Sequence, residues 1–117
     1  MKNRFYAFVN AFNGLIFFFK ETVHARIHAF AALVVVLFGL YFQLNSLEWV
    51  SVLLCIGLVL SLEAVNSAIE YTVDLASPAY NELAKKAKDV AAAAVLLATI
   101  FSVIIAGLIF IPKIVSS

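Results

Sequence analysis

Apolar residues run along the chain in long blocks, and the polar positions fall between the blocks or along one side of them. Three blocks reach the roughly 20 mostly apolar residues that a helix needs to cross a bilayer. The first covers 27–44 (IHAFAALVVVLFGLYFQL), the second 47–73, and the third 90–111 (VAAAAVLLATIFSVIIAGLIFI), with Pro112 expected to close it. The second is long enough to cross and emerge, which puts Glu70 and Asp74 near one interface and Glu63 somewhat deeper. Ahead of these, within 4–25, Phe5, Phe8, Phe12, Leu15 and Phe19 recur at three- and four-residue spacing, while Asn10, Asn13, Phe17 and Lys20 fall elsewhere. That spacing predicts an amphipathic helix lying in the membrane interface. A fourth span is the weaker reading, because it would bury two asparagines and begin beside Arg4.

Composition strengthens the membrane assignment. Of the 117 residues, 65% are hydrophobic and 13% charged, and the mean hydropathy is +1.07. Water-soluble domains carry roughly 25% charged residues. With few glycines and prolines and no linker or repeat, one all-α integral membrane domain over 1–117 is expected. Asn10, Asn13, Lys20 and Glu21 interrupt the first apolar stretch, so no cleaved leader is expected. The single Cys55 lies in an apolar run and reads as packing. Nothing in the pattern calls for nucleic acid.

Charge gives a direction. Lys2, Arg4, Lys20, Arg26, Lys85, Lys86 and Lys88 are seven of the eight basic residues, and all fall on one side of the three predicted spans. The positive-inside rule makes that side cytoplasmic, with the 43–48 turn and the C-terminus outside. The expected location is the inner (plasma) membrane, crossed three times.

Polar residues inside the second span carry the chemistry. At about 100° per residue, Glu63, Asn66, Glu70 and Asp74 fall within a sector of about 80° on one helix face. An ionisable residue in a spanning segment is expensive and marks a protein-facing or water-filled site. Three acids on one stripe repel one another, so positive charge should sit against them. Lys85, Lys86 and Lys88 can reach that interface, and a divalent metal suits paired carboxylates. Acids and lysines together describe a place for a phosphorylated, metal-bound ligand, with ATP the obvious candidate. Glu63 lies deepest, between apolar Leu62 and Ala64, a setting that suits a general base.

The segment EAVNSAIEYTVD, followed by SPAYNELAKKAKDVAAAAVLL, resembles the prokaryotic diacylglycerol kinase family, which includes undecaprenol kinases. The likeness runs from the predicted surface helix through the third span. It implies a homotrimer that transfers the γ-phosphate of ATP, with Mg²⁺, to a lipid alcohol, either diacylglycerol or undecaprenol. By the resemblance, Glu63 is the base that accepts the hydroxyl proton, Asn66 contacts nucleotide phosphate, and Glu70 binds the metal. Lys88 and Asp89 are further nucleotide contacts, as are Tyr80, Asn81, Glu82 and Arg4, and Asp74 supports the site. The family places a second metal-binding glutamate four residues before the arginine of an R-I-H element. In KETVHARIH that position is Thr22, and Glu21 lies one residue earlier. One residue turns a side chain by about 100° on a helix. Glu21 therefore reaches the metal only if the backbone is irregular before Arg26.

His24 and His28, four apart, read as interfacial side chains, since no third ligand is spaced to complete a zinc site. A P-loop and a kinase glycine-rich loop are both missing from the sequence, so the carboxylate stripe would have to serve in their place. From another class, the same stripe could line a small oligomeric channel or proton-coupled carrier. Such a path should continue across the bilayer, but the outer half of the second span is apolar, and the middle of the other two offers only Thr99 and Ser102.

Overall fold

A computed structural model describes residues 2–116. Four helices follow one another: α1 (Lys2–Glu21), α2 (Val23–Tyr41), α3 (Ser46–Ala76) and α4 (Glu82–Ser116), with no strand among the described residues. By length and composition, α2, α3 and α4 are each able to cross a membrane. The chain is an all-helical integral membrane protein.

Helix α3 is the centre of the molecule, packed along α4 and against α2, while Phe38 at the end of α2 also meets Phe110 of α4. An ion pair stands at each end of the α3/α4 seam. Glu48 meets Lys113 at 3.1 Å, and at the other end Asp74 meets Lys88. The two pairs fix an antiparallel register in which Glu63 lies level with Ala98 and Thr99. At about 1.5 Å per residue, Glu48 and Asp74 are roughly 39 Å apart along α3, close to the full thickness of a bilayer with its headgroups. Measured from Glu48, a hydrocarbon layer of about 30 Å ends near residue 68. Glu63 and Asn66 then lie just inside it, with Glu70 and Asp74 beyond.

Small and medium side chains make the seams. Ala25 on α2, Val52 and Val59 on α3, and Ala91, Val95 and Ala98 on α4 are buried, whereas Phe30, Leu54 and Val103 face outward. Helices in lipid gain nothing by hiding leucine from an equally apolar solvent, so close contact between small residues decides which faces meet. The molecule is a slab of 54 × 41 × 21 Å.

The connections explain where the helices stop. At the end of α2, Leu44 N–H bonds Gly39 O at 3.2 Å and Gln43 N–H bonds Leu40 O at 3.4 Å, with Gln43 in the left-handed region at φ 55°. This is a Schellman stop built without glycine at the left-handed position. Asn45 then opens α3 in a capping box, accepting from Glu48 N–H at 2.9 Å while the Glu48 carboxylate accepts from Asn45 N–H at 3.0 Å.

The helix ends differ from the expected ranges: α1 stops at Glu21 rather than 25, α2 covers Val23–Tyr41 rather than 27–44, and α3 runs on to Ala76 rather than 73. Helix α4 starts at Glu82 rather than 90, because the Asn81 side chain caps it, accepting from Leu83 N–H at 2.8 Å and Ala84 N–H at 3.2 Å. It also continues through Pro112 to Ser116. Proline removes one donor from a helix, and here the Lys113–Glu48 pair ties down the turn that follows.

Candidate active site at the α3 C-terminal half

The polar stripe of α3 changes character along its length. Glu63 and Asn66 are buried, at 4% and 8% exposure, as is Ser67, while Glu70 and Asp74 are exposed. The stripe therefore starts inside the bundle and ends in the open at the Asp74–Lys88 end.

Each member has a distinct environment. Glu63 points toward α2, where His28 Nε2 stands 3.5 Å from its Oε2. Asn66 Nδ2 donates to Glu70 Oε1 at 3.2 Å, one turn further along. Asn66 Oδ1 is buried and has no hydrogen-bond partner among the described residues. An unpaired buried acceptor is costly, and in native proteins such groups often await a ligand or ion. Asp74 pairs with Lys88 across the mouth of the seam, and Lys85 pairs with Asp89 at 2.7 Å along α4. Both pairs are largely exposed, so each is weak and yields readily to a competing phosphate.

Other predicted positions lie apart from this group. Tyr80 is 79% exposed in the α3–α4 connection, Glu82 is exposed at the start of α4, and the Asn81 side chain is engaged as the cap. Arg4 is exposed on α1 and makes no hydrogen bond or ion pair with the described residues. Glu21 likewise has no such partner. The backbone irregularity that Glu21 requires is present all the same. Helix α1 ends at Glu21, Thr22 is extended at φ −109° and ψ 112°, and α2 begins at Val23. Arg26 fastens this elbow by donating through Nη1 to Phe19 O at 3.0 Å and Lys20 O at 2.6 Å. The elbow sits at the open end of the stripe, since Phe17 of α1 packs against Tyr71 of α3 with ring centroids 6.0 Å apart.

The arrangement suits Mg²⁺ held together with phosphates. That ion keeps several waters and is commonly bound by one or two protein carboxylates plus substrate phosphates. Glu70, with the unpartnered Asn66 Oδ1 one turn away, supplies such oxygen donors. A complete protein cage is not available, for no three acidic, histidine or cysteine side chains converge among the described residues.

On the far side of Glu63 an apolar cleft of about 170 Å³ opens between α2, α3 and α4. His28 lines its end nearest Glu63, and Ala31, Val35, Val59 and Ala106 line its walls. Thr99 and Ser102 are among its few polar lining residues, and the Thr99 hydroxyl is occupied by Val95 O at 2.8 Å. A buried carboxylate thus stands between an oxygen-rich opening and an apolar slot.

Residues 9–110 match the prokaryotic diacylglycerol kinase family. The chain belongs to that family. It is 43% identical over 112 residues to the undecaprenol kinase of Bacillus subtilis, covering 95% of this chain and 91% of the relative. It is 37% identical over 115 residues to a diacylglycerol kinase of Synechocystis sp., covering 97% of this chain and 66% of that protein. Likeness to the diacylglycerol kinase of Escherichia coli is 38% over 74 residues, with 63% of this chain and 61% of the relative covered. Sequence reading missed two residues of the site region that the fold engages, His28 and Arg26. Their partners lie on other helices, which spacing along one helix does not reveal.

Proposed function

We propose that the protein is an ATP- and Mg²⁺-dependent lipid kinase that phosphorylates the hydroxyl of a membrane lipid alcohol at the cytoplasmic face. Undecaprenol is the preferred substrate over diacylglycerol. The reading is carried by one observation: a buried carboxylate, Glu63, lies between an apolar cleft and a polar, cation-bearing opening. The names of the relatives support the activity. The likeness to the Bacillus subtilis undecaprenol kinase covers 91% of that protein, which supports the polyprenol.

In this reaction Glu63 accepts the proton from the lipid hydroxyl as that oxygen attacks the γ-phosphorus. The new O–P bond forms while the bond to the β-phosphate oxygen breaks, and ADP leaves. Phosphoryl transfer asks a protein mainly for positioning and for cations around the equatorial oxygens. Lys88 supplies positive charge once it exchanges Asp74 for phosphate, and Asn66, with Asp89 beyond it, holds nucleotide. Glu70, with Glu21 at the elbow, holds the metal. Mg²⁺, when bound, neutralises phosphate charge. A channel reading finds less support, because the stripe gives way to an apolar cleft beyond Glu63.

The test supplies detergent-solubilised protein with Mg-ATP and either undecaprenol or diacylglycerol. ATP consumption should depend on the added alcohol and be faster with undecaprenol. Equal ATP turnover with no alcohol present would reject the kinase reading, and faster turnover with diacylglycerol would reject the substrate.

A further inference from the structure

Glu63 is 4% exposed, yet no hydrogen bond from any described residue ends on it. A carboxylate held that way is costly unless something polar faces it. Ser67, one turn along α3, is also buried, but among the groups that the other helices bring to Glu63 a single one offers a ring or side-chain donor. On its own helix, Asn66 gives one amide hydrogen to Glu70, one turn away from Glu63. Level with it on α4 are Ala98, which is apolar, and Thr99, whose hydroxyl is taken by Val95 O. From α2 comes His28, half-buried, with Nε2 3.5 Å from Glu63 Oε2. That gap is longer than a good hydrogen bond. Catalytic contacts are often loose before substrate arrives.

His28 also has a second neighbour. Its ring lines the end of the apolar cleft between α2, α3 and α4. A single imidazole therefore touches both the proposed base and the slot suited to the lipid chain.

We propose that His28 is a positioning residue. Its Nε2 holds the Glu63 carboxylate at the head of the cleft, so that the free oxygen meets the hydroxyl of a long-chain alcohol whose first carbons lie in the slot. The inference rests on the reading of Glu63 as the base.

Substitutions separate this role from packing. Glutamine carries its amide nitrogen near the place of the imidazole Nε2, whereas asparagine carries it near Nδ1, and leucine carries no donor. The full chain in detergent is assayed with Mg-ATP and whichever of undecaprenol and diacylglycerol the wild type phosphorylates, for His28→Leu, His28→Gln, His28→Asn and Glu63→Gln. Misplacing a reacting group by about an ångström costs about 100-fold. His28→Leu should therefore lose about 10- to 100-fold in kcat with KM for ATP unchanged, His28→Gln should recover most of the loss, and His28→Asn should not. Full kcat in His28→Leu, equal kcat in the Gln and Asn variants, or a loss confined to KM for the lipid would overturn the role. If His28→Leu does not fold, the Gln and Asn comparison decides alone. An active Glu63→Gln variant would instead overturn the base itself, and so is distinguishable from failure at His28.

Discussion

Glu70 and Lys88 are held by neighbours rather than buried, so they can change partners when nucleotide arrives. Glu70 accepts from Asn66 and is exposed. Its replacement by Gln removes the proposed metal ligand while keeping that hydrogen bond. The Mg²⁺ concentration for half-maximal transfer should rise roughly 10- to 100-fold, the scale of losing one partner at a metal site, and a magnesium titration of activity checks it. Lys88 meets Asp74 at an exposed seam. Lys88→Met should raise KM for ATP several-fold while leaving the thermal unfolding midpoint nearly unchanged. Steady-state kinetics and thermal unfolding in one detergent measure both. The common face of Glu63, Asn66, Glu70 and Asp74 was legible in the sequence, because 3- and 4-residue spacings resolve into angles on a helix. His28 was not. Its contact to Glu63 joins positions 35 residues apart, and nothing in the HARIH element indicates which side chain of α3 it will face.

Helix ends carried most of the differences between pattern and fold. Hydropathy located α2, α3 and the apolar part of α4, since continuous apolar runs are what it detects. It could not see that α4 begins at Glu82, because that start depends on a side-chain cap from Asn81. Pro112 read as a terminator, yet a proline near a helix end removes only one bond, and α4 passes through it. The α2–α3 turn shows the same dependence on detail. A methyl group added at Gly39 would lie 2.7 Å from Trp49 Cη2 and 3.0 Å from Leu44 Cδ1. Gly39→Ala should therefore cost about 1–3 kcal/mol, as overpacking does elsewhere. Its midpoint in thermal unfolding should fall, with the proposed site chemistry untouched. An unchanged midpoint would mean that Trp49 moves aside freely.

The molecule as a whole is a thin slab with most of its large apolar side chains facing outward. Lipid covers such a surface, and so can other copies of the chain. We propose a homotrimer, which predicts a protein mass in detergent of three times 12.8 kDa, checked by light scattering. Orientation also belongs to this scale. With Cys55 replaced by alanine, a cysteine at Ser116 should react with an impermeant reagent from outside intact cells, and one at Lys86 should not. The basic residues predict this asymmetry, because their clustering depends only on which loops they occupy. The subunit number is not written in any one helix face.

Transfer of labelled γ-phosphate from ATP to undecaprenol, compared between the wild type and Glu63→Gln at matched helicity and particle size, bears most directly on the chemistry proposed here. With Glu63 as the base, the variant should lose on the order of 10²- to 10⁴-fold in rate. A variant as fast as the wild type would contradict that role.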